Sequence, residues 1–147
     1  MATMNTYLIF NGQAEQAFNF YKSVFGGDFS ELRRMDSIPD NPYPLTDEEK
    51  NSLVHVALPI GQHNVLMGSD IIASAGHQVV NGSNVQISLN VDSEQEARHL
   101  FNGLSANGEV EMPLENTFWG ALFGSFTDRF GVKWMVNYQH TVVSSLE

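Results

Sequence analysis

The side chains of this chain that are best suited to bind a metal are five histidines and seventeen acidic residues, since cysteine is absent, and the same groups are common proton-transfer residues. Two imidazoles can share one site when they lie four residues apart on a helix or at alternate positions of a strand. The histidines have neither spacing, and they stand at His55, His63, His77, His99 and His140. Each is predicted to be a surface histidine or one with structural partners, and no metal or other cofactor is expected.

The acidic residues cluster in a proline-rich segment at 36–51, where the charges are expected to be solvated and not to form a catalytic pair. Asp128 stands three residues before Gly131, a spacing that is typical of a tight turn. The sequence also lacks the signatures of a serine hydrolase elbow, a P-loop and a dinucleotide site. Residue types and spacing alone therefore do not name a reaction.

Composition limits the class of protein. The chain has 147 residues, 42% of them hydrophobic, which suits one domain with a substantial core. The formal charge of −10 disfavours binding to nucleic acid or to an anionic membrane surface. We find no basic N-terminal segment before an apolar run and no stretch near the roughly 20 apolar residues of a membrane span. Together with the absence of cysteine, this predicts a cytoplasmic protein.

The first half of the chain predicts a strand at 5–10, a helix at 13–25 and three further strands at 28–35, 52–60 and 64–69. Apolar residues recur at helical spacing within 13–25, and Gly26-Gly27 is expected to end the helix. A short helical turn is expected at 46–49. The apolar face of the helix comprises Ala14, Ala17, Phe18, Tyr21, Val24 and Phe25.

The second half predicts the same order: a strand at 85–91, a helix at 93–106, and strands at 109–114, 119–127 and 132–138. Ser93 and Glu96 match a capping box. Sliding the first half by about 80 residues places Ala17 on Ala97, which indicates an internal repeat. The predicted fold is α+β with two βαβββ modules in one domain, module 1 at about 4–70, a linker at 71–84 and module 2 at 85–140. Residues 141–147 are expected to be a tail that ends in a cloning remnant, Leu146-Glu147.

Several segments carry a resemblance to a known family. They are the strand Asn5-Thr6-Tyr7-Leu8-Ile9-Phe10, the aromatic helix that ends at Gly26-Gly27, the Phe118-Trp119-Gly120 run, and the hairpin from Thr127 to Val136. Together they resemble the vicinal oxygen chelate superfamily of glyoxalase I, bleomycin-resistance proteins and extradiol dioxygenases, and within it the PhnB-like branch. The resemblance implies that the two modules form a cup of mixed sheet with the helices outside.

The resemblance also implies where metal ligands would lie, namely on the first and last strand of each module. By motif register these positions are occupied by Thr6, Met67, Gln86 and Met135. Divalent zinc, nickel, manganese and iron prefer imidazole, carboxylate or thiolate donors, which none of these residues supplies. The activities of glyoxalase I and of the dioxygenases are therefore not expected.

Every second residue of four strands is predicted to face the cup, since alternate side chains of a strand point to opposite faces of the sheet. Trp119 is predicted at the border of the cup, and Trp134 is predicted to point the other way, into the core. Apolar walls with a few amide and hydroxyl groups are typical of a small-molecule pocket, and the alternative is a barrel filled by its own side chains. His55 would face the same interior if Ala57 and Pro59 do. The predicted ligand-binding residues are Thr6, Leu8, Phe10, Met67, Gln86, Ser88, Asn90, Trp119, Met135 and Asn137.

These observations favour a metal-free protein that binds a small molecule, and the resemblance adds the expectation of a homodimer. One alternative is a glyoxalase-like enzyme of lyase or dioxygenase type with a non-standard site. The other is sequestration of a drug or toxin, because the negative charge suits cationic ligands. Whether a reaction is catalysed stays open at this point.

Overall fold

The computed structural model describes residues 1–140, so the predicted tail at 141–147 lies outside the described residues. Backbone contacts divide the chain into two compact units, Met1–Val80 and a second that begins at Asn81. Each unit contains one mixed four-stranded sheet with a helix packed on it, in the order βαβββ. The predicted α+β class with two such modules is confirmed.

The elements of the first unit are β1 Thr6–Phe10, α1 Ala14–Phe25, β2 Glu31–Arg34, α2 Asp47–Asn51, β3 Leu53–Ile60 and β4 Asn64–Asp70. The strand order is β1-β4-β3-β2, in which β1 runs parallel to β4 and the other pairs are antiparallel. The helical turn expected in the proline-rich loop is present as α2, capped by Thr46 and Glu49 in a reciprocal capping box.

The elements of the second unit are β5 Ile87–Asn90, α3 Glu94–Ser105, β6 Glu109–Asn116, β7 Ala121–Thr127 and β8 Lys133–Gln139. They repeat the topology of the first unit with the strand order β5-β8-β7-β6, and β5 runs parallel to β8. The Ser93 side chain accepts a hydrogen bond from the backbone N–H of Glu96, which satisfies one free donor at the start of α3.

A glycine on each sheet lets the helix pack closely. A Cβ added to Gly68 would lie 2.6 Å from the Phe18 ring of α1, and one added to Gly124 would lie 2.6 Å from the Phe101 ring of α3. These contacts identify the helix face of each sheet. The opposite surface, reached by the alternate residues of every strand, is called the far face below.

Trp134 anchors the helix face of the second sheet. Its side chain is fully buried, and its strand neighbours in register are Ile87 and Phe126. The ring of Phe126 makes an edge contact with Phe101 of α3 at 5.1 Å between centroids. The predicted core position of Trp134 is therefore confirmed.

Each unit also buries one carboxylate. Asp70 accepts hydrogen bonds of 2.9 Å from the backbone N–H groups of Ala14 and Leu53. Asp128 accepts from the backbone of Phe130 and Val132 and, at 2.8 Å, from the indole N–H of Trp134. The predicted turn at Asp128 is confirmed, and Gly131 in that turn has φ +88°.

Among the described residues, none of the helices combines the length and apolar character needed to cross a membrane.

Candidate functional site

The far face of the second sheet brings together four of the predicted ligand-binding residues. Ser88 lies beside Met135 in the parallel pairing of β5 and β8, and Asn90 lies beside Asn137. The Asn137 amide donates to the Asn90 carbonyl oxygen at 3.3 Å. Both residues on β8 are half-buried, and both on β5 are exposed. The predicted common phase is therefore correct in this unit.

Trp119 and Gln86 lie at the margins of this group. The Trp119 ring is 6.3 Å from the ring of Phe123, which pairs with Asn137 and so shares its face. About half of Trp119 is exposed, with Phe118 packed edge-on against it at 4.9 Å. Gln86 is exposed and directly precedes β5, so the strand does not fix its side chain direction.

In the first unit the predicted phase is wrong for Thr6, Leu8 and Phe10. Phe10 is buried and its ring meets Phe18 of α1 edge-on at 6.2 Å, so these three residues of β1 belong to the helix face. The prediction assumed that β1 and β5 superpose after an even slide of about 80 residues. The less exposed residues have even numbers in β1 and odd numbers in β5. The two strands therefore superpose only after a shift by an odd number of residues, and the far face of β1 carries Tyr7 and Ile9.

Met67 does lie on the far face of the first sheet. It stands in one row across the sheet with Tyr7 of β1, Ala57 of β3 and Glu31 of β2. The interior set proposed for β3, namely His55, Ala57 and Pro59, shares this face because strand residues two apart point the same way. Thus Met67 keeps its predicted side, whereas its expected partner Thr6 is replaced by Tyr7.

A chain of polar contacts, one hydrogen bond and two ion pairs, runs over this far face. The Tyr7 hydroxyl lies 3.1 Å from His55 Nδ1, and His55 Nε2 lies 2.9 Å from a carboxylate oxygen of Glu31. The other oxygen of Glu31 is 3.3 Å from the Arg33 guanidinium. The Tyr7 and His55 rings are also stacked, with centroids 5.7 Å apart and planes at 28°. Three strands thus contribute to one polar network.

Apolar side chains adjoin the network. Tyr7 is 42% exposed and Ile9 is 46% exposed, large values for aromatic and aliphatic residues in the middle of a strand. Met67 is half-buried in the same row. Sequence reasoning had identified His55 as a candidate but missed Tyr7 and Glu31. The alternation of side chains along β2 and β3 was the available signal. It could not bring Glu31 and His55 together without the strand register, which pairs Glu31 with Ala57.

The ligand positions implied by the family resemblance do not fit a divalent metal. Thr6 lies on the helix face, Gln86 precedes its strand, and Met67 and Met135 offer only thioether sulfur. Within residues 1–140, no group of three His, Asp or Glu side chains is placed to hold a metal ion. The donor set of the described part of the chain thus differs from that of a metal-dependent member of the family.

The first unit also has an open cleft of about 530 Å³ between the start of α1, α2 and the end of β4. Three of the four carboxylates that line it, Glu15, Glu49 and Asp70, are engaged by neighbouring protein groups. Arg34 binds Glu15 through two nitrogens at 2.8 and 2.9 Å, which lowers the pKa of Glu15 and raises that of Arg34. Glu49 accepts from the side chain and backbone of Ser74, and these bonds lower its pKa to about 2. These contacts hold the walls of the cleft together, so the far face is the stronger candidate site.

The far face of the second sheet carries one ion pair near the turn. Lys133 of β8 lies 2.6 Å from Glu111 of β6, which also accepts from the Thr127 hydroxyl at 2.6 Å. Lys133 is the main cause of a lowered pKa for Glu111. Since Lys133 is already paired, it is a weaker candidate than the nearby amides for recognising a ligand.

Comparisons with known proteins agree with the fold and the resemblance. The sequence profile of the Glyoxalase/Bleomycin resistance protein/Dioxygenase superfamily matches residues 3–136. Protein YjdN of Escherichia coli K12 is 34% identical over 140 residues, covering 91% of this chain and 93% of YjdN. The crystal structure of PA1353 from Pseudomonas aeruginosa is 42% identical with a TM-score of 0.81, covering 95% and 98% of the two chains. A PhnB protein from Bacillus cereus is 25% identical with a TM-score of 0.74, covering 93% and 99%.

Proposed function

Because the chain belongs to the Glyoxalase/Bleomycin resistance protein/Dioxygenase superfamily, we propose that it binds a small organic molecule on the far faces of its sheets, without a divalent metal. One observation carries the proposal. The far face of the first sheet exposes Tyr7 and Ile9 beside hydrogen-bonding groups that are already oriented by one another. Exposed apolar area next to a few fixed polar groups is the usual chemistry of a small-molecule site.

The far face of the second sheet supports the same proposal. Asn137 and Asn90 hydrogen-bond through one oxygen and one nitrogen, so each amide keeps further donor or acceptor capacity for a ligand. Met135 supplies an adaptable apolar surface beside them, and Trp119 with Phe123 supplies an aromatic border. Each face is proposed as a binding surface of its own unit.

A thermal-shift screen of the protein against a metabolite library tests the proposal. At least one compound is expected to raise the melting temperature, because a molecule that binds only the native state stabilises it. Asn137→Leu should weaken a compound bound on the second far face by about 1–3 kcal/mol, since it removes a donor and an acceptor. Gln86→Leu should weaken it less, because Gln86 lies outside the strand.

Asn102→Leu is the matched control for this screen. Asn102 is an exposed residue of α3, the helix that covers the opposite face, so the same change there should leave the shifts intact. If no compound stabilises the wild-type protein, binding on either far face is refuted. If Asn102→Leu and Asn137→Leu weaken a compound equally, its binding on the far face of the second sheet is refuted.

A homodimer in the cytoplasm belongs to the same proposal. Large apolar side chains on the second unit remain exposed, which suits a protein surface that is covered in an assembly. Val110 is 46% exposed, Met112 51% and Phe118 97%. Analytical ultracentrifugation should show that the wild type is a dimer. Met112→Glu should dissociate at a higher protein concentration than the wild type, because it places a charge on the covered surface. A monomeric wild type would contradict this part of the proposal.

A further inference from the structure

We propose that Tyr7 is a proton-transferring residue, positioned by His55 and Glu31, and that its substrates are small enolisable 2-oxo acids with an apolar chain. The inference rests on the proposed function, because the compound must first bind on the far face of the first sheet. It assigns a reaction to a chain of polar contacts that joins β1, β3 and β2, namely the Tyr7–His55 hydrogen bond and the His55–Glu31 ion pair.

The charges around His55 indicate which nitrogen carries the proton. An ionised carboxylate attracts the N–H side of an imidazole, so the 2.9 Å contact between Glu31 and His55 Nε2 favours the tautomer with its proton on Nε2. Nδ1 of the neutral ring is then the acceptor and faces the Tyr7 hydroxyl at 3.1 Å. This is the order of a reacting hydroxyl, a base and a group that orients the base.

The sheet makes this arrangement rigid. Tyr7 lies on β1 and reaches over β4, the strand between β1 and β3, to meet His55. Its ring stacks on the imidazole, which restricts both side chains. Glu31 is further held by Arg33, and both are on β2. Groups placed on strands keep their geometry better than groups on loops.

The neighbouring residues indicate the class of substrate. Arg33 pairs in register with His55 and is largely exposed. One of its nitrogens lies 3.3 Å from Glu31, and the guanidinium has further N–H donors that can bind a substrate carboxylate. Ile9 and Met67 share the face and offer apolar surface for a hydrocarbon chain. Proton transfer is the reaction that a phenol, an imidazole and a carboxylate can perform by themselves, since it requires no oxidant, reductant or second reactant.

The proposed step conserves atoms and charge. The C3–H bond of the 2-oxo acid breaks, and its electron pair forms the C2–C3 double bond as negative charge moves to the carbonyl oxygen. The Tyr7 oxygen takes the C3 proton while the Tyr7 hydroxyl proton passes to His55 Nδ1. The resulting imidazolium is stabilised by Glu31. The reverse transfer returns a proton to C3 or to the enolate oxygen and restores the protein.

The test is hydrogen–deuterium exchange at C3 of 2-oxohexanoate in D2O, followed by proton NMR with a metal chelator present. The wild-type protein is expected to accelerate loss of the C3 signal above the rate in buffer. Tyr7→Phe should lower the protein-dependent rate by about 100-fold or more, because it removes only the hydroxyl. Tyr43→Phe is the matched control, since Tyr43 is 43% exposed, as against 42% for Tyr7, and lies in the loop before α2. Its rate should equal that of the wild type.

The positioning roles have a separate readout. Glu31→Gln should reduce the exchange rate and the share of the Nε2–H tautomer of His55, because the imidazole loses its carboxylate partner. Nitrogen NMR of His55 should show the Nε2–H tautomer in the wild type. A purely structural role for Glu31 would leave the His55 tautomer unchanged in the variant, and the Nδ1–H tautomer in the wild type would contradict the proposed chain directly.

The outcomes separate the two proposals. Saturation-transfer NMR on the same samples reports whether 2-oxohexanoate binds. Binding without exchange overturns the catalytic inference and leaves the proposed function standing. Exchange that survives Tyr7→Phe, or that disappears on chelation, also overturns it. If neither binding nor exchange is seen, the inference fails, and the proposed function is decided by the library screen. Circular dichroism and the melting temperature of Tyr7→Phe verify that the variant is folded.

Discussion

The two units solve the same structural problem with carboxylates of different reach. Asp70 of the first unit binds backbone groups at the start of α1 and of β3, which lie 56 and 17 residues away in the sequence. Asp128 of the second unit accepts from three donors that lie within six residues of it, namely the backbone of Phe130 and Val132 and the Trp134 indole. Both side chains are almost fully buried. These hydrogen bonds join distant elements at Asp70 and stabilise a local turn at Asp128.

This difference shows what a sequence reveals. The turn at Asp128 was recognisable because the backbone groups that it binds in the turn are close in sequence and Gly131 marks the same turn. Asp70 was not, since its role requires α1 and β3 to be placed beside the end of β4. It also supplies the acceptor for the first N–H group of α1, a place where a local capping residue is usual.

The largest expected effect concerns Trp134, which links the local carboxylate to the core. Trp134→Ala should reduce the free energy of unfolding by about 3–5 kcal/mol, since it deletes a fully buried aromatic side chain. It also removes the indole donor to Asp128. Urea unfolding of this variant and of Trp134→Phe separates lost volume from the lost bond. A cost below about 1 kcal/mol would refute the core assignment.

The comparison itself is tested by the paired changes Asp70→Asn and Asp128→Asn. Asparagine at 128 can still accept from the turn backbone through its oxygen, but its N–H₂ then faces the indole N–H of Trp134, so a loss of about 1–2 kcal/mol is expected. Asparagine at 70 keeps one acceptor and places its N–H₂ against another N–H, so about 2–3 kcal/mol should be lost.

Chemical denaturation of both variants measures the two values in the same buffer. Asp28→Asn is the control, because Asp28 is exposed and lies 3.4 Å from Lys22 in a surface ion pair. Equal losses at positions 70 and 128 would mean that sequence distance does not govern what these carboxylates contribute.

A smaller, local effect is expected at Glu49, which ties α2 to Ser74. Its pKa is about 2 in the folded chain, against an ordinary value of 4.5. A lowered folded pKa means that the carboxylate stabilises the tie above pH 4.5, and that this contribution is lost as the pH falls towards 2. Amide exchange at Ser74 should therefore accelerate over that interval.

Glu49→Gln provides the reference for this titration. Glutamine cannot ionise, so the exchange of Ser74 in the variant should lack the acid-dependent step, after correction for intrinsic rates. A step of the same size in the variant would assign the titration to another group.

Much of the fold could be predicted because its signals are local. The apolar periodicity of α1, the glycines at its end and the alternation of β5 all place elements close to their observed bounds. The site was harder to predict, because face assignment needs the register between strands. The sequence prediction assigned the wrong face to the alternate residues of β1. It placed Thr6 on the far face, where the structure has Tyr7. A chain of polar contacts over three strands, such as the one from Tyr7 through His55 to Glu31, has no single spacing in the sequence.

The loop between β2 and β3 is closed at its base. The Met35 N–H donates to the Ser52 carbonyl at 2.8 Å, and Arg34 donates to the Asn51 carbonyl at 2.9 Å. Asp70 then fixes Leu53, where the chain enters the sheet. The tip of the loop can therefore change in length without altering the strand register, since exposed loops with fixed ends tolerate insertion. The segment from Pro39 to Pro44 is thus a practical graft position for a reporter peptide or an affinity label.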